Sequence, residues 1–170
     1  MTKTAEGSTK PSKGKLVKPE NTLKKKVGNG GFDTKVLEKA QDMFENNTID
    51  FRPIAIEYST SLEGIVNGAR NGTIANEDVV NQVMYPAMQL KAQGTLFHYP
   101  LITKISHIMV DFLEDNTVAD SDIIEIVDGY RKSIGAVATM QIKDADGSVG
   151  KELCEALAGA CERYYKMKSK

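Results

Sequence analysis

The 170-residue chain has no tryptophan, only two histidines and two cysteines, and no apolar run close to the ~18 residues that mark a membrane span. Each absence removes a class of function. Without a membrane span, and without the apolar stretch of a secretory signal at the N-terminus, the chain is expected to be cytoplasmic. Cys154 and Cys161 lie seven residues apart on one predicted helix, sharing a face but too far apart to bridge. With no CxxC and no neighbouring histidine, they read as reduced core residues, and no metal site is expected. The chain also lacks a glycine-rich phosphate loop after a strand, a GxSxG elbow and any zinc spacing. Ordinary acid and base catalysis is hard to build from this inventory. Carboxylates such as Asp111, Glu114, Asp115, Asp120 and Asp122 fall at helix ends or on polar faces, where solvated caps are the expected reading.

What is present is unevenly distributed. Residues 1–26 hold eight lysines against Glu6 and Glu20, leaving 14 basic and 21 acidic residues of the totals of 22 and 23. A basic leader therefore precedes an acidic body, and nucleic acid is not an expected partner. Residues 1–31, rich in Lys, Gly, Ser, Thr and Pro, are expected to be a disordered leader, with GNGG as the hinge into one domain over 32–170.

From Asp33 onward the apolar spacing is helical, with little of the alternation that marks strands. Asp33 can cap a first helix through about Asn46 that buries Val36 or Leu37, Ala40 and Phe44. A second helix follows Asp50, with Pro53 in its first turn and Phe51, Ile54, Tyr58, Leu62, Ile65 and Ala69 at three- and four-residue steps, until NGT at 71–73 closes it. Four more are expected near 76–94, 99–114, 119–143 and 149–167. Short connections make neighbours antiparallel, so the fold class is all-α, an up-down helical bundle.

The third helix is the informative one. At about 100° per residue, Val80, Val83, Ala87, Leu90 and Gly94 form one narrow stripe that must be buried. Met88 then points about 130° away from it, Met84 about 90° and Lys91 about 70°. Tyr85 lies close to the opposite side, giving an exposed surface rich in adaptable apolar groups.

The run AMQLKAQGTLFHYPLITKI, residues 87–105, resembles the phosphoacceptor helix of histidine phosphotransfer (HPt) proteins, whose motif is HxxKG within a helical bundle. The likeness extends to KPENTLKKKVG in the leader and to QIKDADGSVGKEL near residue 150, and implies a four-helix core with extra N- and C-terminal helices. It places Met88 where that family has its phosphorylated histidine, Lys91 at the lysine, and Ala92 at the small glycine. In the family the imidazole attacks a receiver's phospho-aspartate, and the lysine offsets the incoming charge. A thioether cannot do this, since it has no proton to lose and forms no stable phosphoryl adduct.

The resemblance therefore implies a protein with no acceptor at this position. It is expected to act as a binding module or competitor for a response-regulator receiver domain or a histidine kinase, presenting Met84, Tyr85, Met88, Gln89, Lys91, Ala92 and Thr95. No cofactor of its own is expected, because any Mg²⁺ would belong to the receiver. Two other readings stand beside it. His98, at a turn, or His107, on the fourth helix, could serve as a substitute acceptor, although Val110 and Asp111 downstream of His107 lack the motif's chemistry. Alternatively, the bundle is a scaffold whose Met and Tyr surface self-associates.

Overall fold

The computed structural model describes residues 33–46 and 49–169. The expected leader, residues 1–31, lies outside them. Six helices and no strands occur among the described residues: α1 (Thr34–Glu45), α2 (Arg52–Arg70), α3 (Asn76–Leu96), α4 (Pro100–Glu114), α5 (Ser121–Met140) and α6 (Ser148–Lys168). The chain divides into two compact units, Met1–Ala40 and Gln41–Lys170.

Within the larger unit, α2 packs on α3 and α5, and α4 closes the ring against α3 and α5. The result is an antiparallel four-helix core with α6 lying against α4 and α5. The core is apolar and dense: Leu62, Leu90, Leu101, Ile102, Ile105, Met109, Ile123 and Ile134 have no exposed surface. The hydroxyls of Ser106 and Tyr130 lie 2.9 Å apart inside it, so neither polar group is left unsatisfied.

Local chemistry sets the boundaries. The Asp120 carboxylate accepts from the Asp122 and Ile123 amides at 3.0 and 2.9 Å and starts α5. Asp33 and Asp50 accept from Lys35 and Arg52 in the same manner, both at 3.0 Å. At the end of α2 the Thr73 amide donates to the Gly68 carbonyl (2.9 Å) around Gly72, whose φ of 75° suits a residue without Cβ. Pro86 sits buried inside α3 and removes the amide that would have bonded the carbonyl of exposed Gln82, where water can take its place.

One expectation is corrected. No side chain of α1 is buried: Val36, Leu37 and Phe44 are exposed and Ala40 is half-buried. Periodicity reports that an apolar stripe exists, and the buried cluster is complete from residues of the other five helices and their turns. In α2, Phe51, Leu62 and Ile65 are buried as the spacing predicts, but Ile54, Tyr58 and Ala69 are only half-buried. The centre of its inner face is Ala55 and Ser59, whose hydroxyl donates to the Arg131 carbonyl at 3.0 Å.

A polar clamp joins α2 to α5. Asp128 is 3% exposed and receives Arg131 at 2.7 Å, Lys132 at 2.8 Å and Arg70 at 3.1 Å. Burial alone would raise its pKa, yet hydrogen bonds from Lys132 and Arg70 and the charge of Arg131 outweigh that and hold the carboxyl at about 2.

Candidate functional site

The α3 stripe Val80, Val83, Ala87, Leu90 and Gly94 is buried in full, which fixes how the rest of the helix faces outward. Tyr85 is 65% and Met88 54% exposed. Ala92 and Thr95 are exposed, whereas Met84, Gln89 and Lys91 are half-buried at the edge. Met84 packs against the core, and Gln89 accepts a hydrogen bond from the Gln93 amide at 3.0 Å. The outward flank therefore centres on Tyr85 and Met88, with Met84 more core-like than a surface residue.

The register of α3 against α4 adds a group that spacing along one helix does not reveal. Gly94 lets the two backbones approach closely: a Cβ there would meet the Thr103 hydroxyl at 2.6 Å and the Thr103 amide nitrogen at 2.9 Å. Beside it the hydroxyls of Thr95 and Thr103 lie 2.9 Å apart. One turn further along this antiparallel pair, Lys91 Nζ stands 3.1 Å from His107 Nδ1. The same nitrogen is 2.8 Å from Asp111 Oδ1.

One imidazole nitrogen cannot accept from Lys91 and donate to Asp111 at the same time. When Nδ1 carries its proton toward Asp111, the Nε2 lone pair is free; when Nδ1 accepts from Lys91, the proton resides on Nε2. Half-exposed His107 therefore has a cation and a carboxylate competing for one atom. The sequence-based expectation placed only Val110 and Asp111 around it. Lys91 comes from the neighbouring helix, and the signal that could have found it is the short α3–α4 turn, which pairs residues whose numbers sum to nearly the same value.

His98 has a different role. It occupies the left-handed position (φ 61°) after α3, with its amide donating to the Thr95 carbonyl at 3.2 Å and the next amide, Tyr99, to Gly94 at 2.7 Å. Its side chain is exposed beside Thr95 and Pro100. The turn is held from below by Phe97 stacked on Phe51, with ring centroids 5.0 Å apart.

Cys154 and Cys161 are both free and buried, and burial pushes the Cys161 thiol up to about 11. Among the described residues no group of three or more His, Cys, Asp or Glu side chains is arranged to hold a metal ion, and no helix is long and apolar enough to cross a membrane. No family model, curated protein or solved structure matches the chain.

Proposed function

We propose that this is a cytoplasmic HPt-like protein lacking the acceptor histidine, which binds a response-regulator receiver domain or a histidine kinase through the outward flank of α3. The observation that carries the reading is Met88, which stands exposed between Tyr85 and Ala92 and one turn from Lys91, at the position where the resembled motif has its histidine. Exposed Met and Tyr supply adaptable contact area to a partner, and small Ala92 allows close approach. Such a module occupies the receiver without discharging it.

Recovery of a receiver on the immobilised chain tests this, with a phosphorylatable HPt protein as positive control. Recovery of none, while the control retains its partner, would count against the reading. The Met88→His variant probes the chemistry: it should accept phosphoryl groups from a phosphorylated receiver while the natural chain remains unlabelled.

A second reading is favoured by the position of Lys91 near His107. In the tautomer whose Nδ1 proton is held by Asp111, the Nε2 lone pair can attack the phosphorus of an acyl phosphate. The P–O bond to the donor carboxylate breaks as the N–P bond forms, Asp111 balances the resulting imidazolium, and Lys91 offsets the phosphoryl charge. Here the natural chain itself would take up an acid-labile, base-stable label, lost in His107→Ala and retained in His98→Ala.

A further inference from the structure

One helix keeps its apolar face outside the core. Val36, Leu37, Met43 and Phe44 of α1 are each more than half exposed, and with half-buried Ala40 they form one stripe along a helix of 12 residues, about 18 Å. Phe44 borders Ala92 and Thr95 across a shallow hollow, yet most of its surface stays open. The buried cluster is complete without any of these side chains.

The polar residues of α1 keep carboxylates away from this stripe. At about 100° per residue, Lys39 and Gln41 flank it, about 100° to either side of its centre, whereas Glu38, Asp42 and Glu45 stand with Lys35 about 140–160° away. Two of these carboxylates accept hydrogen bonds along the helix, Glu45 from Gln41 at 2.7 Å and Asp42 from Asn46 at 2.6 Å. Ahead of α1 the sequence is strongly basic. Lys24, Lys25 and Lys26 precede Thr34 by eight to ten residues, at most about 35 Å of chain, and five more lysines lie before them. Beyond residue 26 the balance reverses, with 14 basic against 21 acidic residues.

We infer that α1 and the lysines ahead of it form a docking surface for an anionic phospholipid bilayer, on which α1 lies flat with Val36, Leu37, Met43 and Phe44 sunk into the headgroup boundary. Apolar area and charge select this occupant together. A bilayer boundary offers hydrocarbon beneath a sheet of negative headgroups, which match the stripe and the lysines respectively. The same headgroups repel the acidic remainder of the chain, so contact is limited to α1 and its lysines. A helix of three turns and a lysine cluster are each weak anchors alone, so binding needs both and is reversible. The inference stands apart from the receiver reading, whose residues lie on α3, and either can fail without the other.

Flotation of the full chain with vesicles of phosphatidylcholine alone, or with about one third phosphatidylserine, tests it. The chain should float with the anionic vesicles and not with the neutral ones, and about 0.5 M salt should release it. Lys24→Gln, Lys25→Gln and Lys26→Gln together should weaken binding about 100-fold, at about fivefold per lysine. Leu37→Glu and Phe44→Glu should each weaken it about tenfold or more with unchanged helical circular dichroism, and Glu38→Gln, on the far side, should not weaken it. The chain has no tryptophan, so Phe44→Trp supplies a single reporter whose emission should shift to the blue on anionic vesicles. Binding to neither vesicle, equal binding to both, or binding indifferent to Leu37→Glu and Phe44→Glu would overturn the inference. So would a dimer in sedimentation that Phe44→Glu dissociates while no vesicle is bound, since the stripe would then belong to a second copy.

Discussion

A single carboxylate does much of the polar work in this bundle. Asp128 is almost fully buried with Arg70, Arg131 and Lys132 around it, and its pKa of about 2 lies below the ordinary value of 3.8. A depressed carboxyl pKa stabilises the fold above the unfolded value, and that contribution is lost as pH falls through the folded one. The Asp128 contribution, on the order of 2 kcal/mol, should therefore be present above about pH 4 and disappear toward pH 2. Asp128→Ala should cost about 3 kcal/mol at neutral pH in urea unfolding, because it removes the buried acceptor shared by Arg70, Arg131 and Lys132 and leaves Arg70 to Glu125 and Arg131 to Glu63. The difference between variant and natural chain should shrink across the same acid window. Met88 is the opposite case, an exposed thioether with no charge and no proton to lose. Its exposure was legible from the helical wheel alone. The pairing of Lys91 with His107 was not, because it depends on two helices at once.

The α3–α4 hairpin is the element that sets the site. Its register is fixed by Gly94, where any Cβ would press on the backbone nitrogen of Thr103 as well as on its hydroxyl. Backbone cannot move aside as a flexible side chain can, so Gly94→Ala should destabilise by about 1–3 kcal/mol despite alanine's better helix propensity. The measurement is chemical unfolding, with the separation of His107 and Lys91 followed by NMR as a second readout. At the turn itself His98→Gly should raise stability by about 1 kcal/mol, since glycine adopts positive φ without the Cβ clash. Thermal melting checks it, and a loss of stability would mean that the imidazole makes a contact worth more than the strain. Helix limits were legible to within a few residues because Asp33, Asp50, Pro53, Pro100 and Asp120 announce them chemically. Burial was legible for α3, where five positions share one narrow stripe. It was not for α1, whose apolar spacing carries no information on what, if anything, covers it.

At the scale of the whole molecule, α2–α5 close a core and α6 covers α4 and α5. The exposed side of α3 is left with Tyr85 and Met88 at its centre. The fold class was legible in the sequence because helical period and short connections leave few alternatives to an antiparallel bundle. No reaction was legible in the sequence and the proposed function rests on the HPt resemblance, since no metal cluster stands out among the described residues and Lys91 meets His107 only across two helices. The proposed binding role rests on the exposed surface of α3, where Met88 stands in the place of the resembled motif's histidine. Its most direct test is titration of receiver domains into isotopically labelled chain, natural and Met88→Glu, with phosphoryl label followed in parallel. The expected result is a receiver whose binding perturbs residues 84–95, weakens about tenfold or more in Met88→Glu, and leaves no label on the natural chain. Binding that ignores Met88→Glu, or a stable phosphoryl label on the natural chain, would contradict it.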